Sequence, residues 1–131
     1  VILWKPYRFL KKIFHLSALL EQYTMFPVST TIFITPPGSQ CLNFHYDTTP
    51  SFFLQIHGSK NWSIFPPLVE DPTAMLEGDE TVEEKDAPAR ITKARQGFLL
   101  REGDILWVPR GWYHRGSAVG SVGSVHLALS P

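Results

Sequence analysis

"NFHYDTTPSFFLQIHGSKNW", residues 43–62, is the stretch that decides the fold. In extended chain, residues i and i+2 point to one face, so His45 and Asp47 project together while Tyr46 faces the other way. "CLNFHYD" and "SFFLQIHG" read as successive strands and "SKNWSIFPP" as the next, with Gly58 at the tight connection. An imidazole nitrogen beside a carboxylate oxygen suits a borderline divalent metal. Lys60 lies one hairpin further on. Pointing inward, it could pair with the distal carboxylate of a dicarboxylic acid held on that metal, because a buried ammonium without such a partner is costly. The plain alternative is a hairpin with a surface aspartate and a solvent-facing lysine beside Gly58.

A metal site needs a third ligand, and the other histidines are His15, His57, His114 and His126. His114 closes "GDILWVPRGWYH". There, Gly103-Asp104 makes a turn, Ile105 to Val108 a strand and Pro109-Arg110-Gly111 a second turn, which places a histidine at the start of the following strand. Two histidines and one carboxylate form the facial triad of non-haem iron(II), with positions left open for a keto acid and dioxygen. On these residues alone, the metal site and the polar hairpin stand level. His126 reads as a structural or outer-sphere histidine, His57 as exposed and His15 as part of a helix. Gln55 serves packing or a ligand equally well. Arg110 serves its turn, a salt bridge or a substrate.

Outward from this centre, "RFLKKIFHLSALLEQY" sets Phe9, Ile13, Leu16 and Leu20 at helical spacing, with Leu10 and Phe14 widening the stripe. "STTIFITPP" and "SVHLALS" read as strands, the second a buried one. Residues 68–94 are charged and broken by proline and glycine. They read as a solvated connecting loop or as a mobile flap near a site. Seven or so short strands with Gly and Pro punctuation predict a mainly β domain, a small antiparallel barrel or sandwich with an N-terminal amphipathic helix. One domain is expected over 1–131, with a helical lead-in at 1–26 and the barrel at 28–131.

The twelve basic and twelve acidic residues among 131 cancel, which gives no global electrostatic argument for nucleic acid or an anionic membrane. No apolar run reaches the roughly 18 residues that span a bilayer. The single cysteine, Cys41, cannot form an internal disulfide and fits a reducing, intracellular setting: cytoplasmic, or nuclear or nucleolar in a eukaryote. A chain that begins with Val1 and ends on "VHLALSP" reads as a piece of a longer protein.

"TPPGSQCLNFHYD", "FFLQIHGSKNW" and "GDILWVPRGWYH", with the closing "HLALS", together resemble the JmjC-type cupin oxygenases, specifically the ribosomal oxygenase branch. The resemblance runs from about Thr31 to Ser130. It implies a double-stranded β-helix (cupin, or jelly-roll) in which His45, Asp47 and His114 bind iron(II) and Lys60 binds the distal carboxylate of 2-oxoglutarate. Ser130 falls where the family has a serine near this co-substrate, and Thr31 where many members have an asparagine that contacts it. The implied reaction consumes dioxygen, converts 2-oxoglutarate to succinate and carbon dioxide, and hydroxylates a protein side chain, histidyl or arginyl, of a ribosomal protein. A C-terminal dimerisation region in the full-length protein would make it a homodimer. Two rivals remain: a cupin of other metal chemistry, and a non-catalytic interaction domain. Cys41, in place of a frequent glycine, and Asn43-Phe44, in place of a pair that often includes proline, alter the cavity wall rather than the ligands.

Overall fold

The computed structural model describes residues 1–68, 92, 93 and 95–131. The β-branched and aromatic runs form strands β1 (Ile2–Trp4), β2 (Ser29–Thr35), β3 (Ser51–His57), β4 (Ser59–Phe65), β5 (Gln96–Leu100), β6 (Ile105–Val108), β7 (Tyr113–Val119) and β8 (Ser124–Ser130). Helix α1 (Lys11–Thr24) follows a 3-10 turn at Pro6–Arg8. The strands make two antiparallel sheets, one ordered β1-β2-β8-β3-β6 and the other β5-β4-β7. From β3 to β8 the chain changes sheet at every link except the one from β4 to β5. That alternation is a double-stranded β-helix, so the mainly β barrel with an N-terminal helix is present.

The alternation also corrects the local reading. The strands flanking Gly58 are not a hairpin, because β3 belongs to the larger sheet and β4 to the smaller. Gly58 turns this corner at φ +64°, and a Cβ there would press on the Gly123 carbonyl oxygen, so the position requires glycine. The Gln55 side-chain amide fastens the corner by donating to the His57 carbonyl at 2.8 Å and to Ser124 Oγ at 2.8 Å. Pro109 to Gly111 likewise carries the chain from β6 across to β7 in the other sheet.

"CLNFHYD" is not a regular strand. With Gln40 just before it, it runs antiparallel beside β7, bridged at Gln40 with Ser117 and at His45 with His114. Between them, five steps of chain face three on β7, so two residues bow out as a bulge.

Helix α1 buries Ile13, Leu16 and Leu20 against Val28, Ile32, Leu127 and Leu129 on the outer face of the larger sheet. This stripe is narrower than the sequence suggests. Phe9 and Leu10 precede the helix, and Phe9 (85%) and Phe14 (53%) are exposed. The helix stops at Met25, whose left-handed φ of 61° ends the turn, and the Glu21 side chain accepts the Val28 N–H at 2.9 Å just beyond Pro27. Strand β1 extends the larger sheet through its pairing with β2. Between the sheets, Phe33, Phe53, Trp62, Ile64, Leu100, Val108 and Ala128 form the core. The loop-or-flap reading of 68–94 lies outside the described residues apart from Leu68, Thr92 and Lys93. No helix among the described residues is long and apolar enough to cross a membrane.

Candidate metal and co-substrate site

The H-x-D motif is held by the residues between and beside its members. Phe44 and Tyr46 alternate with His45 and Asp47 and are buried in a second cluster with Phe65 and Tyr113. Phe44 stacks on Tyr113 at 4.7 Å and meets Phe65 edge-on at 4.9 Å, while Tyr46 meets Tyr113 edge-on at 5.1 Å. Burying these even-numbered rings drives the odd-numbered side chains toward the barrel interior. The backbone then fixes the opposite wall. His114 N–H donates to the His45 carbonyl at 2.7 Å, and Gly111 N–H donates to the Asp47 carbonyl at 2.8 Å. The Pro-Arg-Gly turn is thus tied directly to the aspartate.

His45, Asp47 and His114 converge, each offering one ligand atom, and these atoms all lie within 4.8 Å of one another. His45 Nε2 is 3.7 Å from Asp47 Oδ1, and His114 Nε2 is 3.6 Å from Asp47 Oδ2. Both gaps are too long for a good hydrogen bond and short enough for a shared ion. Each histidine repeats one local device, an Nδ1–H that donates to the carbonyl two residues back: His45 to Asn43 at 2.7 Å, His114 to Trp112 at 3.0 Å. A carbonyl can only accept, so Nδ1 carries a proton, and in the neutral ring the Nε2 lone pair is the one turned toward Asp47. Burial, and then the neighbouring His45, push the His114 pKa down to about 4, against the opposing pull of Asp47 and the Trp112 carbonyl. The imidazole is therefore neutral near pH 7, the form that binds a metal. Two imidazoles in the metal-binding tautomer around one carboxylate fit a divalent ion of borderline softness.

Behind Asp47 lies a hydroxyl pair, the expected Ser130 and a partner, Ser51, that the sequence reading missed. Ser51 Oγ donates to Asp47 Oδ2 at 3.3 Å and shares a 2.8 Å hydrogen bond with Ser130 Oγ. Ser51 starts β3 on the same face as Phe53 and Gln55, and this parity was the available signal.

Deeper in the barrel, Lys60 is 0% exposed. Its Nζ donates to Thr35 Oγ1 at 3.0 Å and to His126 Nδ1 at 2.9 Å, and sits 5.5 Å from the Trp62 ring centroid. Burial lowers its pKa to about 8, although the nearby Cys41 opposes the shift. Gly116 makes room for the lysine stem, since a Cβ there would lie 3.1 and 3.2 Å from its Cδ and Cε. No carboxylate among the described residues pairs with this ammonium.

A cavity of about 520 Å³ opens onto both regions. His45, Asp47 and His114 line it, as do Thr31 and Ser130, while Lys60 is screened from it and His126 takes its place on the wall. Fourteen further residues complete the lining, including Cys41, Phe53 and Trp62. His57 is away from the cavity and pairs with Glu102 at 3.0 Å. Gln55 is spent on the Gly58 corner.

The JmjC domain model matches residues 2–130. The chain is 34% identical over 127 residues to mouse (Mus musculus) "Ribosomal oxygenase 2", covering 96% of this chain and 26% of that protein. It is 31% identical over 130 residues to the "Bifunctional lysine-specific demethylase and histidyl-hydroxylase NO66" of Drosophila persimilis, covering 95% of this chain and 17% of that protein. The chain thus spans about a quarter or less of the length of these curated relatives. Among solved structures, E. coli ycfD shares the fold with a TM-score of 0.69 at 17% identity, covering 98% of this chain and 32% of that one.

Proposed function

The chain belongs to the JmjC domain family, and from that premise we propose that it is an iron(II)- and 2-oxoglutarate-dependent oxygenase domain that hydroxylates a side chain of a ribosomal protein. The observation that carries the proposal is the trio itself: two histidines locked as Nδ1 donors, with both Nε2 atoms turned on one carboxylate, in a cavity that leads to a buried ammonium paired with no carboxylate among the described residues. The relatives' names, ribosomal oxygenase and histidyl-hydroxylase, support a histidyl target and disfavour a cupin of unrelated chemistry.

His45, Asp47 and His114 would hold iron(II), and Ser51 would keep the Asp47 carboxylate turned toward the two imidazoles. Iron(II), when bound, supplies the coupling of dioxygen reduction and 2-oxoglutarate decarboxylation to the oxidation of an unactivated C–H bond. The protein's part is positioning. Lys60 supplies the positive charge for the distal carboxylate, and Thr31 and Ser130 flank the cavity as hydroxyl donors. Phe33, Phe53 and Trp62 keep bulk water from the inner end. No side chain is required as a general base, in keeping with a site built from ligands and anchors.

The test is succinate formation from 2-oxoglutarate under air with iron(II) and ascorbate, comparing the parent chain with Asp47→Ala and His114→Ala. A ribosomal-protein peptide is then examined by mass spectrometry for a gained oxygen atom. The parent should form succinate and both variants should fall to background while remaining folded. Turnover at the parent rate in Asp47→Ala would overturn the assignment.

A further inference from the structure

We propose that His126 is a co-substrate-binding residue, presenting its Nε2–H to the distal carboxylate of the bound dicarboxylate while Lys60 fixes its tautomer from behind; this rests on the co-substrate reading above. The ring is 2% exposed and sits at the centre of the larger sheet, with Phe33 and Gln55 as its register partners on either side. It stacks on Phe33 at 4.8 Å with 4° between planes, and Trp62 and Phe53 meet it edge-on at 5.1 and 5.7 Å. These contacts hold the ring in one orientation.

That orientation settles where the proton lies. An ammonium can only donate, so Lys60 Nζ at 2.9 Å makes Nδ1 an acceptor and leaves the imidazole proton on Nε2. No described residue hydrogen-bonds Nε2. Among the described residues the sealed side-chain polar atoms without partners are Thr30 Oγ1, Gln55 Oε1 and Trp62 Nε1; His126 Nε2 is not one of them, and the ring lines the cavity. The donor therefore opens on the cavity.

The geometry divides the labour between two residues. Lys60 carries the charge but is sealed, and His126 carries that charge's hydrogen-bonding end to the cavity surface. An ammonium polarising an imidazole N–H in an aromatic-walled space makes a strong donor for a carboxylate. Asp47 is the one side-chain carboxylate lining the cavity among the described residues, and it belongs to the metal end. The inner end thus selects for an anion supplied by the ligand.

The experiment titrates the parent, His126→Phe and His126→Gln by calorimetry in the presence of Mn(II), using 2-oxoglutarate and 2-oxobutanoate. The second acid has the same chelating head and no distal carboxylate. His126→Phe should weaken 2-oxoglutarate binding by about 10- to 100-fold, the effect of one lost hydrogen bond to a charged group, and leave 2-oxobutanoate and Mn(II) affinities unchanged. His126→Gln should bind 2-oxoglutarate within a few-fold of the parent, because its amide can accept from Lys60 and donate to the ligand. NMR of the parent imidazoles with Zn(II) needs no variant. There, His126 should be protonated on Nε2, and that proton should shift on adding 2-oxoglutarate and stay put with 2-oxobutanoate. Undiminished 2-oxoglutarate binding in His126→Phe, an equal loss for both acids, or a proton on Nδ1 would overturn the proposal and leave the oxygenase reading standing. A parent that binds Mn(II) but not 2-oxoglutarate would overturn both.

Discussion

Replacing Lys60 with methionine should make the unliganded domain more stable while it loses co-substrate affinity. Burial takes the lysine pKa from its ordinary 10.5 to about 8, so holding the ammonium in place costs about 3 kcal/mol relative to the neutral amine. Methionine keeps the length of the stem and its packing between Gly116 and Trp62. It leaves the His126 Nδ1 acceptor without its donor, which costs about 1–2 kcal/mol, while the Thr35 hydroxyl can turn elsewhere. The balance is a gain of roughly 1 kcal/mol, or about 4 °C in Tm for a chain of this size.

Thermal unfolding of metal-free parent and Lys60→Met at pH 7 measures this directly. The pH dependence supplies a second check with a definite sign. The folded pKa lies below the unfolded one, so between about pH 8 and 10.5 the unfolded parent binds more protons than the folded parent, and parent stability rises with pH. The variant lacks this gain, so its advantage should shrink and then reverse across that window. If Lys60→Met were less stable than the parent by more than 1 kcal/mol at pH 7, or the difference did not change with pH, the ammonium would be a net structural asset. Lys60 would then not be held at a cost for a ligand.

Ser51→Ala should weaken Mn(II) affinity by about 10-fold or more, because the Asp47 carboxylate loses its one side-chain hydrogen-bond donor among the described residues; an unchanged titration would show that the Gly111 backbone contact alone orients it. Gly58→Ala combines a left-handed φ of +64° with pressure on the Gly123 carbonyl and should cost about 2–4 kcal/mol in urea unfolding. A loss below 1 kcal/mol would mean that the turn between β7 and β8 yields easily. On acidification, the metal-free protein should lose stability as pH falls through the window from 6.5 to about 4, because His114 stays neutral when folded and is protonated when unfolded. His114 alone accounts for roughly 2 kcal/mol of this by pH 5, and denaturant midpoints that stay flat over that range would refute its burial as a neutral imidazole.

How far the sequence was legible depended on whether a feature is local. Strand parity put His45 and Asp47 on one side, and the turn signals of Gly103-Asp104 and Pro109-Arg110-Gly111 put His114 at the start of β7, where the structure brings the three together. What the sequence hid was which strands pair. A glycine at positive φ serves a hairpin and a sheet-crossing corner equally well, so Gly58 looked like the first and is the second. The helix misled for a related reason. Phe9 and Leu10 fit the stripe, but Pro6 and the left-handed Lys5 set a 3-10 turn that removes them from it. Strand β1 has only three residues and exists through its pairing with β2, which no local pattern encodes. His126 shares parity with Ala128 and Ser130, yet its partner Lys60 lies 66 residues away on the other sheet.

That cross-sheet pairing gives the cavity its electrostatic logic. At one end a carboxylate sits between two imidazoles, and at the other an ammonium backs a donor imidazole; among the described residues neither end is balanced where it stands. They cannot neutralise each other, because Asp47 is turned toward the histidines near the mouth while Lys60 is sealed by Thr35 and His126. A divalent cation alone would satisfy the first end, and a small anion alone the second. A divalent cation together with a doubly charged dicarboxylate would satisfy both and add no net charge to the barrel. The two polar groups are thus buried at opposite ends of one apolar-walled cavity at a cost to the free protein, and that cost is recovered only by a ligand set that spans it.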